Sequence, residues 1–201
     1  MYGQNYGIIP FTPLEADRLR ARIMAQIREV NCILFVGAGA SALVAMEIAG
    51  QAQETGLPAM VFTNNFATAQ PISFAKGFAE GERTLSEYIV RAVTDKDVVL
   101  GVSASGGTGF VYLVVRLARE KGAKTIALTE NANTPLGKTA DIIIKSNAKP
   151  EGPSSSKVQI AHLAMGHALI LTIADLRGID ANKSVEYMLF DRVDSKKMGI
   201  K

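Results

Sequence analysis

Disulfide pairs, strong charge of one sign and membrane-spanning runs are all missing from this 201-residue sequence. Its single cysteine, Cys32, excludes an intramolecular disulfide framework and fits a reducing cytoplasm. The 22 basic and 19 acidic residues give a formal net charge of +3, which is too small to indicate a nucleic-acid partner. No apolar run approaches the roughly 20 residues of a membrane span, and no secretory signal opens the sequence. These absences predict a cytoplasmic protein without nucleic-acid or membrane partners.

What the sequence does contain is apolar residues in short, continuous runs. Hydrophobic residues make up 48% of the chain, enough for one domain with a sizeable core. The pattern predicts strands at 33–36, 58–62, 98–102, 125–128 and 141–144, with helices between them at 41–54, 85–93, 109–121 and 134–140. Continuous rather than alternating runs are typical of parallel strands buried on both faces. We therefore expect an α/β fold, a three-layer, doubly wound, five-stranded parallel sheet flanked by helices.

The two terminal helices bear on how subunits associate. We expect one domain over residues 1–201, divided into an N-terminal helix at 13–30, a core at 31–178 and a C-terminal extension at 179–201. A last helix, at 156–176, closes the core. The first helix has an apolar face, and the last carries an apolar stripe of Leu163, Ile170 and Ile173. A doubly wound sheet does not need the first helix, and the stripe on the last helix must also be buried, so pairing of these helices between two-fold related subunits predicts a homodimer or homotetramer.

Ligands of doubly wound sheets bind at the carboxyl ends of the strands, where the strand order reverses. The first such loop here is Gly37-Ala38-Gly39-Ala40-Ser41, in which the glycines allow a close backbone approach and Ser41 caps the next helix. The N-terminus of that helix favours an anion. The spacing also fits a dinucleotide fingerprint, but Thr63 and Asn64 stand where an acidic residue would hold the ribose. A nicotinamide cofactor is therefore not favoured.

Two further loops carry hydroxyl groups. Ser103-Ala104-Ser105-Gly106-Gly107-Thr108 follows the third strand and places three hydroxyls before a helix N-terminus, which predicts a phosphate cradle. It lacks the lysine of a nucleotide-binding P-loop, so a nucleoside triphosphate is not favoured. A third loop precedes the last helix and adds Ser154, Ser155, Ser156 and Lys157, which would close over a sugar or a phosphate.

These loops resemble the sugar isomerase (SIS) domain family of phosphosugar isomerases and phosphosugar-binding proteins. The resemblance covers residues 18–176 and includes Asn133-Thr134-Pro135-Leu136 and Ala140-Asp141 before the fifth strand. It implies a five-stranded parallel sheet between helices, a dimer or tetramer, and a sugar phosphate bound at the strand ends. The candidate phosphosugar-binding residues are Gly37, Gly39, Ser41, Ser103, Ser105, Gly106, Thr108, Ser154, Ser155, Ser156, Lys157 and Gln159.

The last helix is also similar to that of sedoheptulose-7-phosphate isomerases. In that subgroup the positions matching Gln159 and His167 lie at the active site, and the histidine serves in acid–base catalysis. The likeness departs on the first core helix, where the subgroup's histidine and catalytic glutamate fall on Glu47 and Gln51. A second, partial likeness is to the N-acetylmuramic acid 6-phosphate etherases, whose catalytic glutamates would fall near Glu80 or Glu82.

Aldose–ketose isomerisation needs a base that moves a proton between C1 and C2, and an acid that opens the sugar ring. The candidate catalytic residues are Glu82, Glu80, Glu47 and His167. Glu47 begins a polar stripe with Gln51 and Glu54. This stripe is either a solvated helix face, or it places Glu47 in the ligand-binding cleft, two turns from the Gly37 loop. At 100° per residue, His162 and His167 lie about 140° apart around the helix. We therefore expect one histidine to face its own sheet and the other a neighbouring subunit.

The sequence predicts a phosphosugar isomerase that needs neither a cofactor nor a metal ion. Two alternatives stay open, a phosphosugar-binding or sensing module without catalysis, and an etherase or lyase that acts on an amino-sugar phosphate.

Overall fold

A computed structural model of the protein describes residues 13–27, 30–64, 84, 86–87, 89–148 and 156–180. Five strands form one parallel sheet of order β2-β1-β3-β4-β5, which confirms the expected α/β fold. The strands are β1 (Ile33–Ala38), β2 (Ala59–Asn64), β3 (Val98–Val102), β4 (Lys124–Thr129) and β5 (Ile142–Lys145). The helices are α1 (Pro13–Ile27), α2 (Ala40–Glu54), α3 (Gly109–Glu120), α4 (Pro135–Thr139) and α5 (Ser156–Leu176).

The strand order reverses between β1 and β3. From β1 the chain passes through α2 to β2 on one side, and from β3 it proceeds through α3 to β4 and β5 on the other. The register places Gly37 of β1 beside Thr63 of β2 and Val102 of β3. The carboxyl ends of β1 and β3 are therefore neighbours at the switch point where such sheets bind ligands.

Two cores cover the two faces of the sheet. Helices α1, α2 and α5 pack on one face, which we call the α5 side, and α3 and α4 pack on the other, the α3 side. Successive residues of β3 alternate between the faces, with Leu100 on the α5 side and Val99 on the α3 side. All five residues of β3 are buried, as a central strand covered on both faces requires.

Helix α1 packs against its own chain. The prediction that a second subunit is needed to bury its apolar face is therefore wrong. Helix α1 is described over Pro13–Ile27, while residues 28 and 29 of the predicted helix lie outside the described part, and both Ile23 and Ile27 are buried within the same chain. They share the α5-side core with Ile170 and Ile173, the two most buried members of the apolar stripe on the last helix. Helix α2 packs mainly on β1 and β2, so it covers only part of that face of the sheet. Helices α1 and α5 cover the rest, and this is why the apolar side chains of α1 are buried within the chain.

The length and apolar composition of α5 would by themselves allow it to cross a membrane. Its 21 residues include an 18-residue window of mean hydropathy 1.3, half of which is buried inside the fold. Buried positions recur along the helix from Val158 to Ala174, where they pack on α2 and the sheet. This is the behaviour of a core helix, which passes the same test of length and composition.

Candidate functional site

Glycines shape the turn from β1 into α2. A Cβ atom on Gly37 would lie 2.4 Å from the carbonyl oxygen of Ser41, closer than any side-chain carbon can approach. Gly39 has φ of +58°, in the left-handed region that glycine adopts without steric cost. The chain therefore turns sharply at the carboxyl end of β1, and α2 begins at the switch point.

Ser41 links two helices instead of capping one. The residue that caps α2 is Gly39, which has no side chain, and Ser41 lies inside the first turn, so the predicted capping role is wrong. The Ser41 hydroxyl donates to Oε1 of Gln159 at 3.3 Å and accepts from its Nε2 at 3.1 Å. Gln159 lies in the first turn of α5, so this pair holds the starts of α2 and α5 together.

The loop after β3 combines one buried hydroxyl with two accessible ones. Ser103 is 1% exposed, and its Oγ accepts from the N–H of Gly106 at 3.1 Å. The same atom lies 2.9 Å from Oγ1 of Thr108. Ser105 is exposed and its Oγ accepts from the N–H of Gly107 at 3.2 Å, while Thr108 is half-buried. Ser103 therefore shapes the loop, and Ser105 and Thr108 are the hydroxyls that an incoming anion can reach.

The segment before β5 braces this loop. Gly106 has φ of +65°, and a Cβ atom there would lie 2.2 Å from Oγ1 of Thr134. Thr134 caps α4 by accepting from the N–H of Gly137 at 3.2 Å, and the N–H of Leu136 donates to the carbonyl oxygen of Gly106 at 3.1 Å. Asp141 is likewise structural, since its carboxylate accepts from both the N–H and the hydroxyl of Thr125.

Two helix N-termini converge where the strand order reverses. Helix α2 has 15 residues and α3 has 12, and neither N-cap residue, Gly39 or Thr108, makes a side-chain hydrogen bond to its helix. In the first turn of α2 the N–H of Ala42 already donates to the carbonyl oxygen of Gly39 at 3.0 Å, so the other first-turn N–H groups are the ones available to an anion. Each helix also presents the positive end of its dipole. Together with Ser105 and Thr108, these groups form what we call the cradle, an arrangement suited to a phosphate.

The candidate acid–base residues Glu47 and His167 meet outside the cradle. His167 Nε2 lies 3.6 Å from Glu47 Oε1, and both side chains are partly exposed, at 34% and 53%. Glu47 follows Ser41 by six residues, about 9 Å of helix rise, so it does not reach the cradle of its own chain. Sequence reasoning proposed each residue separately and missed their pairing. The rest of the polar stripe behaves as a solvated face, where Gln51 Nε2 donates to Glu54 at 3.3 Å.

The two histidines of α5 face in different directions, as their spacing predicts. His162 is fully buried against the sheet, whereas His167 is partly exposed on the outer face. Burial lowers the pKa of His162 from 6.5 to about 4, and the nearby backbone of Thr129 opposes the shift. The imidazole of His162 is therefore neutral at physiological pH.

Several predicted site residues lie outside the described part of the chain, namely Glu80, Glu82, Ser154 and Ser155. Ser156 and Lys157 begin α5 and are exposed. Within the described residues, no three side chains of histidine, cysteine, aspartate or glutamate come close enough together to hold a metal ion.

Comparison with known proteins connects this geometry to one family. A family model described as SIS domain matches residues 71–172. The N-acetylmuramic acid 6-phosphate etherase of Bacteroides thetaiotaomicron is 27% identical over 185 residues, 87% of this chain and 66% of the etherase. The phosphoheptose isomerase of Trichlorobacter lovleyi is 30% identical over 173 residues, 79% of this chain and 84% of the isomerase. The chain thus spans 66% of the etherase's length and most of the isomerase's.

Solved structures share the fold. The Vibrio vulnificus NanR protein complexed with ManNAc-6P superposes with a TM-score of 0.68 at 20% identity, covering 87% of this chain and 60% of that one. A phosphoheptose isomerase from Francisella tularensis superposes with a TM-score of 0.62, also at 20% identity, covering 79% of this chain and 85% of the other. At these identities the likeness establishes the architecture alone.

Proposed function

Because this chain belongs to the SIS domain family, we propose that it is a phosphosugar isomerase of the aldose–ketose type. The observation that carries the proposal is the cradle, where two helix N-termini and the hydroxyls of Ser105 and Thr108 converge at the switch point. Helix dipoles and N–H donors favour an anion, and the lack of a P-loop lysine favours a phosphate monoester over a nucleotide. The similarity to a phosphoheptose isomerase, which extends over 84% of that enzyme's length, supports the same activity.

The proposed mechanism separates binding from proton transfer. The cradle holds the phosphate and so fixes the position of the sugar chain. A carboxylate then moves one proton between C1 and C2, and an imidazole donates a proton to open the ring. Glu47 and His167 supply these two groups as a pair. The reaction transfers a proton without net oxidation, so it needs no redox cofactor. The proposal also uses no metal ion and assumes a cytoplasmic protein.

The position of the pair implies a second subunit. Glu47 shares its face of α2 with exposed Leu43 and Met46, and His167 shares its face of α5 with exposed Ile160 and Leu171. Exposed apolar side chains that surround polar groups mark interaction surfaces. We propose that a second copy covers this face in a homodimer and brings Glu47 and His167 to the partner's cradle.

The dimer is tested by mass. We expect light scattering at micromolar concentration to give twice the chain mass of 21.4 kDa. The double variant Leu43→Glu/Ile160→Glu should shift the protein to monomer, because buried unpaired charges are costly at an interface. Met60→Glu is the matched control, since Met60 is an exposed apolar residue on β2, away from this face. A monomeric wild-type mass, or a dimer unaffected by the double variant, would contradict the proposed interface.

Catalysis is tested with a panel of sugar phosphates that includes sedoheptulose 7-phosphate and N-acetylmuramic acid 6-phosphate. We expect aldose–ketose conversion of one member, and Glu47→Gln or His167→Gln should lower kcat by about 10²–10⁴, the usual contribution of a general acid or base. Glu54→Gln is the control, because Glu54 lies on the same stripe and bonds to Gln51. Full turnover by the Glu47→Gln/His167→Gln double variant would remove the pair from the mechanism.

A second candidate function is an etherase, favoured by the 27% identity that extends over 87% of this chain. Release of lactate from N-acetylmuramic acid 6-phosphate in the same panel would replace the isomerase with this activity. Binding of sugar phosphates without any conversion would instead favour the sensing module.

A further inference from the structure

An apolar groove lies on the α3 side of the sheet at the amino ends of β1 and β2, away from the cradle. Its volume is about 290 Å³, part of which is open to solvent, and its apolar lining includes Cys32, Leu34, Met60, Phe62, Ile89 and Val93. The register places Met60 beside Leu34, which belongs to the α3-side core, so the two side chains lie on the same side. We call this feature the edge groove.

The edge groove is open because β2 is the first strand of the sheet. Helix α3 packs on β3, β4 and β1, and Ile89 and Val93 add to the cover of the α3 side. Met60 remains 46% exposed on this side of β2, and Val61 remains 38% exposed on the other side. Proteins commonly cover an apolar edge strand with another part of the chain, because an open edge invites aggregation.

The lining of the edge groove suits apolar side chains better than a free small molecule. Ligand pockets usually measure about 300–1,000 Å³ and contain a few polar groups that orient the ligand. Among the residues that line this groove, the polar groups are the Cys32 thiol and the Asp97 carboxylate. Asp97 already accepts from the N–H and the hydroxyl of Thr94, at 2.8 and 2.7 Å. A chain segment with one or two large apolar side chains therefore fits this space.

The described chain leaves α5 at the same end of the sheet. Helix α5 starts near the cradle, where Gln159 meets Ser41, and ends at the amino ends of the strands. There Cγ2 of Ile179 lies 3.8 Å from the position of a Cβ atom on Gly56, three residues before β2 begins. Gly56 and Met60 are four residues apart, which is at most about 14 Å of chain. The residues after Asp180 therefore start close to the edge groove.

The sequence after Asp180 contains a matching apolar run. Residues 181–201 lie outside the described part of the chain, and they include the consecutive residues Tyr187-Met188-Leu189-Phe190. Four adjacent large apolar side chains favour an apolar surface over water. The six residues at 181–186 span up to about 20 Å when extended, which is enough to pass around the edge strand into the groove.

The other stretches outside the described part join the fold at its opposite end. Residues 65–83 follow the carboxyl end of β2, and residues 149–155 follow that of β5. Residues 1–12 precede α1, a helix of 15 residues and therefore about 22 Å, whose far end at Ile27 is the one that leads into β1. Position thus favours residues 181–201 as the source of the occupant.

We propose that the apolar run at residues 187–190 docks in the edge groove of its own chain and covers the exposed side of β2. The docked run buries Met60 and the Cys32 thiol and protects the edge strand from association with other chains. This inference uses neither the cradle nor the Glu47–His167 pair, so it is independent of the proposed function.

The first test is disulfide trapping in the full chain, because Cys32 is its single cysteine and lines the groove. The four test variants each place one thiol in the apolar run, namely Tyr187→Cys, Met188→Cys, Leu189→Cys and Phe190→Cys. Lys197→Cys is the control, in the same segment but outside the run. Docking raises the effective concentration of the new thiol at Cys32, so in mildly oxidising buffer at least one test variant should form an intramolecular disulfide about tenfold faster than the control.

Two results of the trapping experiment would overturn the proposal. Test variants that all react no faster than Lys197→Cys would show that the run does not dock at Cys32. Disulfides that form only between two chains would assign the edge groove to a second copy instead.

The second test measures how fast a maleimide labels Cys32. Burial and the nearby Asp97 carboxylate raise the pKa of the Cys32 thiol, so all rates are compared at one pH. Leu189→Asp/Phe190→Asp should release the run and speed labelling about tenfold, because the groove is then open most of the time. Met198→Asp/Ile200→Asp adds the same charge outside the run and should label at the wild-type rate.

Equal labelling rates in the two double variants would contradict docking of the run. The trapping variants change one side chain at a time and add no charge, so they decide the matter even where the Leu189→Asp/Phe190→Asp variant does not fold. Neither readout needs a sugar phosphate.

Discussion

Replacing Ser105 and Thr108 together with alanine should weaken the binding of sedoheptulose 7-phosphate about 100-fold or more. Each hydroxyl that donates to a charged phosphate oxygen contributes about 1.5–3 kcal/mol, and every 1.4 kcal/mol is a factor of ten in affinity. These two hydroxyls are the accessible ones of the cradle, whereas Ser103 is buried in the loop. Titration calorimetry with the sugar phosphate measures the effect directly.

The matched control keeps the hydroxyl and changes only a methyl group. Thr108→Ser should bind with an affinity close to that of the wild type. The loop should survive the double substitution, because Ser103 still accepts from the N–H of Gly106 and Thr134 still packs against that glycine. Unchanged thermal stability with lost affinity is therefore the expected combination. Wild-type affinity in the double variant would move the phosphate away from this loop, most directly to residues 154–157.

Mild acid should destabilise the fold through His162. Burial lowers its folded-state pKa from 6.5 to about 4, so between these values the unfolded chain binds a proton there and the folded chain does not. Stability therefore falls as the pH drops from 6.5 towards 4, by about 3 kcal/mol for a shift of this size. Urea unfolding at a series of pH values from 7.5 to 4 measures this loss.

A variant without the ionisable ring isolates the effect. His162→Leu should remove most of this pH dependence, whatever its own stability at pH 7, because the slope rather than the absolute value reports the titration. His167→Gln is the matched control on the same helix, since His167 is partly exposed and paired with Glu47. The free energy of unfolding of His167→Gln should fall between pH 7.5 and 4 by as much as that of the wild type. An identical slope in His162→Leu would show that other groups cause the acid sensitivity.

The elements themselves could be predicted because their signals are local. The run Val98–Val102 is a strand over the predicted residues, and the helix predicted at 156–176 is α5 with the same bounds. The prediction that α1 packs against a second subunit failed. It assumed that the helices connecting the strands cover both faces of the sheet, but the sequence does not show how much of a face each helix covers. Glycine positions were also informative in advance, since the close approach at Gly37 excludes any other residue.

The sequence by itself determined the fold class, the family resemblance and the loops that form the cradle, because each depends on residues within one short segment. Only the tertiary structure decided which hydroxyls are accessible, and which distant residues meet. Ser41 and Gln159 are separated by 118 positions, and Glu47 and His167 come from the same two helices. Sequence spacing cannot assign such contacts, because they depend on the packing of α2 against α5.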